Sequence, residues 1–94
     1  MIRSFADRET ETVWFGRRSR RLPADVQAVA LRKLRLLNQA RTLGDLAVPP
    51  GNRLEALKGD RAGQHSVRIN GQWRIVFTWA DGGPRDVGIV DYHG

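Results

Sequence analysis

The sequence predicts an α+β fold: one small domain over residues 1–94, with two N-terminal helices packed on one face of a mostly antiparallel sheet of three or four strands. Three observations carry this. Apolar residues recur at helical spacing between Val26 and Leu37, the pattern breaks at Pro49-Pro50-Gly51, and alternating stretches flank Asn70-Gly71 further on. With 94 residues the chain can bury roughly 60–65% of its unfolded surface, enough for one core.

Ile2 to Phe5 reads as a short edge strand. Asp7 is an N-cap type residue opening a helix to about Phe15, with Thr10, Val13 and Trp14 at helical spacing and Gly16 as its stop. Arg17-Arg18-Ser19-Arg20-Arg21 follows as a dense basic loop. A longer helix runs from Pro23 to about Arg41. Val26, Val29, Ala30, Leu34 and Leu37 form its apolar stripe, with Arg32, Arg35 and Gln39 opposite. Lys33 falls inside the stripe, where it is expected to snorkel past the core edge.

From Ser66 onward the period is that of strands. Asn70-Gly71 predicts a two-residue type I′ hairpin, which would set Arg68 against Trp73 and Val67 against Arg74. One face would then carry Trp73, Ile75, Phe77 and Trp79 toward the helices. The other would hold Arg74 between Val67 and Val76. Asp81-Gly82-Gly83-Pro84 reads as a turn and Asp86 to Tyr92 as the last strand. The three tryptophans are expected in the core, and His65 at a strand edge with a local hydrogen bond.

Composition narrows the function. Sixteen basic residues against ten acidic give a net charge of +6, and all but Lys33 and Lys58 of the basic set are arginine. Arginine grips phosphate with a planar fork and stacks on bases, so polyanions are the natural partner class. The chain has no cysteine and only two histidines, which excludes thiolate and histidine-rich metal sites. No cofactor is expected. No apolar run approaches the ~18–20 residues of a membrane span. Met1 to Arg8 lacks the apolar stretch of a secretory signal. A cytoplasmic address and no membrane contact are the expectation.

Two segments can carry chemistry. In Asn52 to Arg61, Arg53 and Glu55 alternate with Leu54 and Ala56, followed by Lys58, Gly59 and Arg61, a set able to cradle a phosphodiester. At the end, Asp91-Tyr92-His93 offers groups that hold or move protons, Asp91 and His93 projecting to one side of an extended strand and Tyr92 to the other. A mid-sheet Arg74 is suited to holding an anion, or equally to a cross-strand ion pair. Arg17, Arg18, Arg20, Arg21, Arg53, Arg61 and Arg68 are candidate contacts to a nucleic acid or another partner.

The run PPGNRLEALKGDRAGQHSVRINGQWRIVF (residues 49–77), the terminal Asp91-Tyr92-His93 and the opening MIRSFAD together resemble the HigB toxins of the RelE/ParE superfamily. The resemblance covers nearly the whole chain. It implies a metal-independent endoribonuclease that cuts messenger RNA in the ribosomal A site. It also implies a helix-turn-helix antitoxin of the HigA type, with operator DNA engaged only through the antitoxin complex. By position it assigns Lys58 and Arg74 to the scissile phosphate, and Asp91, Tyr92 and His93 to the family's end motif. Within that motif Asp91 and His93 are the acid/base candidates. Some relatives carry a histidine just ahead of the Leu-Lys-Gly run, where this chain has Glu55, so the base is either His93 or, if that position supplies it, the Glu55 carboxylate. The implied reaction is attack by the ribose 2′-hydroxyl on the adjacent phosphorus. A ParE-like topoisomerase poison and a non-catalytic RNA-binding module are the alternatives.

Overall fold

The computed structural model describes residues 1–92. Helix α1 spans Arg8–Trp14, and its N-cap Asp7 accepts a 2.7 Å hydrogen bond from the Thr10 amide. The chain leaves α1 through Gly16 at φ 76, a conformation that costs glycine little. Thr10 is fully buried, and its hydroxyl oxygen accepts from the Ile89 amide at 2.9 Å, fastening α1 to the sheet.

Helix α2 spans Ala24–Gln39 and buries Val26, Ala30, Leu34 and Leu37, while Arg32, Arg35 and Gln39 face water. Lys33 departs from expectation. Its ammonium donates to Oδ1 of the buried Asn52 instead of reaching past the core edge. Burial, then the neighbouring Arg32 charge, lowers its pKa. Between α2 and the sheet, two short 3₁₀ turns, Leu43–Ala47 and Pro50–Asn52, bring Leu46 into the core.

Four antiparallel strands follow in spatial order: β1 (Glu55–Ala56), β2 (Gln64–Arg68), β3 (Trp73–Ala80) and β4 (Gly83–Asp91). The N-terminal residues run parallel beside β4, through a Phe5–Val87 bridge and a 2.8 Å bond from the Arg3 amide to the Pro84 carbonyl. The expected edge strand is thus a single bridge. The β3–β4 connection is shorter than expected, with Ala80 opposite Gly83 and only Asp81-Gly82 between them.

The β2–β3 hairpin corrects the predicted register. Arg68 lies opposite Arg74 and Val67 opposite Ile75, one residue away from the two-residue-turn pairing. Asn70 and Gly71 are not among the described residues with positive φ. Instead Asn70 Oδ1 accepts from the amides of Gln72 and Trp73, both at 2.8 Å, closing a three-residue loop. A one-residue shift moves every β2 side chain to the other face. Val67 and Ile69 therefore join Ile75 and Phe77 against the helices, and Arg68 joins Arg74 on the open face. Burial decides the matter: the observed register sequesters both aliphatic chains, at roughly 1.5–3 kcal/mol for each when fully buried.

Val13, Ala30, Leu34, Leu37, Ile75 and Phe77 centre the core, with Trp14, Trp73 and Trp79 half-buried against it. His65 stacks on Phe77 at 6.2 Å between ring centroids, but its buried Nδ1 has no hydrogen-bond partner, contrary to expectation.

Candidate active site

Arg74 projects from the start of β3, an inner strand of the sheet, onto the open face, with its side chain 12% exposed. One guanidinium nitrogen, Nη1, donates to Ser66 Oγ at 2.7 Å and to the Arg53 carbonyl at 3.3 Å. The other, Nη2, forms a 3.1 Å ion pair with Glu55 Oε1. The Tyr92 ring lies 5.7 Å from the guanidinium carbon, within cation–π range.

Each partner is placed by local backbone chemistry. Arg53 caps the Pro50–Asn52 turn in the left-handed region at φ 45, which aims its carbonyl at Arg74. Asn52, 1% exposed, holds that turn by donating to the Leu46 and Val48 carbonyls at 3.1 and 3.4 Å while accepting from Lys33. Glu55 sits opposite Ser66 in the β1–β2 pair. The Tyr92 amide donates to the Gln72 carbonyl at 2.7 Å, docking the end of β4 on the hairpin loop.

These groups line a cleft of about 490 Å³ in which Arg53, Arg68 and Arg74 meet Glu55 and Tyr92, with Asn70 and Gly71 at the rim. Arg68 and Arg74 face each other directly across the strand pair. Like charges in that position repel, so an anion entering the cleft gains from both. Arg74 is fixed in advance by its acceptors Ser66 and Arg53 and presents its own N–H donors to an oxyanion, and Glu55, with a side chain half exposed, can swing away from it.

The sequence candidates are not all gathered here. Glu55, Arg74, Tyr92, Arg53 and Arg68 come together. Lys58 is exposed just beyond β1, ahead of Gly59 at φ 65, and does not line the cleft. Arg61 is exposed and reaches Gln64 at 3.4 Å. Asp91 pairs in register with Trp73, so strand alternation puts it on the side away from Arg74, where it accepts from Gln72 Nε2 at 3.0 Å. His93 lies outside the described residues. Arg17, Arg18, Arg20 and Arg21 belong to the α1–α2 connection, in the helical layer. Sequence reasoning missed Ser66 and Asn52. Only the true register reveals Ser66 beside Arg74, and no local pattern marks Asn52. Among the described residues no three His, Cys, Asp or Glu side chains gather as a metal site, and no helix is long and apolar enough to cross a membrane.

Comparison with known proteins agrees with this architecture. Residues 3–93 match the family described as the RelE-like toxin of type II toxin-antitoxin system HigB. The chain is 42% identical over 66 residues to Toxin HigB-1 of Vibrio cholerae, covering 70% of each. It is 32% identical over 98 residues to Endoribonuclease HigB of Proteus vulgaris, covering 99% of this chain and 100% of that one. In fold it is similar to the YoeB/ParE toxin from Agrobacterium tumefaciens, with a TM-score of 0.50, 21% identity and coverage of 99% and 98%.

Proposed function

Because the chain belongs to the HigB-like family, the RelE-like toxins of type II toxin-antitoxin systems, we propose that its Arg74 cleft is the active site of an endoribonuclease that cuts messenger RNA in the ribosomal A site. An antitoxin holds such a toxin in check, here one of the HigA helix-turn-helix type, and operator DNA is met only through that complex. The toxin acts in the cytoplasm, where translating ribosomes are found.

The observation that carries the reading is the restrained guanidinium of Arg74 with Glu55 and Tyr92 both beside it. An incoming phosphodiester displaces Glu55 and takes the Arg74 fork through its non-bridging oxygens. The released carboxylate then removes the proton of the adjacent ribose 2′-hydroxyl, whose oxygen attacks phosphorus. The bond to the 5′-oxygen breaks, Tyr92 supplies the proton to that oxygen, and a 2′,3′-cyclic phosphate remains. Arg74 binds the charge on the phosphoryl oxygens most strongly as it grows in the transition state. The nucleophile belongs to the substrate, which accounts for cleavage of RNA rather than DNA and for chemistry that needs no metal ligand set. Arg53 and Arg68 contact flanking phosphates; Lys58 and Asp91, outside the cleft, are given no step.

Primer extension on translating ribosomes tests this. The wild-type protein should produce discrete cuts that persist in EDTA when polyamines keep the ribosomes intact. Arg74→Ala should lose roughly 10²-fold or more, and Arg74→Lys should recover only part, since a point charge cannot reproduce the fork. An alanine variant that cuts at the wild-type rate would remove Arg74 from the chemistry.

A further inference from the structure

On the helical layer, where α1 ends, the chain turns out at Gly16 and leaves Phe15 66% exposed. Beside it a slot of about 230 Å³ opens between α1 and α2. It is lined by Val13, Gly16, Ala28 and Leu31 together with Gln27, Arg17 and Arg18. A large exposed aromatic next to an apolar slot is uncommon on a small surface without a partner.

The basic loop at its edge is not a loose tether. Ser19 is 3% exposed, its amide donates to Gln27 Oε1 at 2.9 Å, and Gln27 Nε2 donates back to the Ser19 and Leu22 carbonyls at 2.9 and 2.6 Å. The Ser19 hydroxyl donates to Glu9, and the Arg21 amide donates to Ser19 Oγ at 3.2 Å. Glu9 is thereby occupied, and among the described residues the only ion pair is Arg74–Glu55 on the other side of the sheet. Among the described residues, Arg17, Arg18, Arg20 and Arg21 thus make no ion pair, although Glu9 lines the surface beside Arg18, Arg20 and Arg21, and the loop that carries them is tied down at Ser19. Fixing them before association lowers the ordering cost of binding.

We infer that this slot and its arginine collar are the docking site of the antitoxin, which inserts an apolar side chain from a segment flanked by carboxylates. An apolar floor, an exposed aromatic anchor and arginines at the rim make up the usual centre and edge of a protein interface. RNA would use the arginines and leave the aliphatic floor without a counterpart. The inference rests on the toxin-antitoxin membership and not on the cleavage chemistry.

The test uses the purified antitoxin encoded with this toxin, titrated against wild-type, Phe15→Glu and Ala28→Arg proteins. Both positions are exposed, and thermal melts confirm folding of each. Each variant should bind the antitoxin at least about tenfold more weakly, the loss expected of an interface anchor. Wild-type affinity should fall with salt, and less steeply for Arg17→Gln/Arg18→Gln. Free Phe15→Glu and Ala28→Arg should cleave message as the wild type does. Wild-type antitoxin affinity in both variants would overturn the inference. So would a loss of ribosome binding with antitoxin affinity intact, which would make the face an RNA contact. If the wild type failed to cleave at all, the catalytic reading would fall while the binding result still judged this one.

Discussion

At the scale of single residues, Arg74 illustrates how one side chain can be structurally modest and chemically central. Its ion pair with Glu55 involves a half-exposed carboxylate, and such pairs contribute less than about 1 kcal/mol. Glu55→Gln should therefore leave the urea midpoint almost unchanged. If Glu55 takes the 2′-hydroxyl proton, the same change should slow cleavage by roughly 10²–10⁴-fold. Single-turnover cleavage beside an unfolding curve checks both at once, and parallel losses of stability and rate would mean that Glu55 only braces Arg74. Arg74, Glu55 and Tyr92 can be singled out in the sequence because charge in mid-strand and protons at a strand end are conspicuous there. Ser66 cannot, since a serine acquires meaning only from what lies opposite.

At the scale of elements, α1 is legible because cap, period and stop agree, and α2 because its apolar period is sustained over its length. The segment between α2 and β1 is not, since its order comes from side-chain bonds that no periodicity announces. Asp45 Oδ2 accepts from the amides of Arg41 and Thr42 at 2.9 and 3.1 Å, and these bonds lower its pKa below the ordinary 3.8. An unfolded chain therefore binds the proton more readily, so the contribution is complete above that ordinary value and disappears as pH falls through the folded one. Asp45→Asn should flatten the acid limb of a stability–pH curve, with little change in its shape at neutral pH; an unaltered acid limb would contradict the capping role. Lys33→Ala tests the other tie in this segment. It leaves Asn52 Oδ1 buried without its donor and should cost about 1–3 kcal/mol, read from urea unfolding. A neutral result would show that Asn52 finds another donor.

At the scale of the whole molecule, the sheet divides labour: its helix-covered face makes the core, and its open face carries the cleft. Which residue lies on which face is settled by the hairpin loop, and there the chain declines a turn its own letters favour. Asn70-Gly71 alone could close β2 onto β3 with Ile69 against Trp73 and every face unchanged. Gln72 is one residue too many for that. Its carbonyl accepts from the Tyr92 amide and its side-chain amide donates to the Asp91 carboxylate, so the surplus residue is what moors the end of β4. This is local frustration retained where a site needs it. Deleting Gln72 should let the hairpin relax into its preferred turn, with the urea midpoint held or raised. Tyr92 would be cast adrift from Arg74, and cleavage should fall sharply. A shortened protein that still cuts at full rate would mean the mooring serves the fold alone.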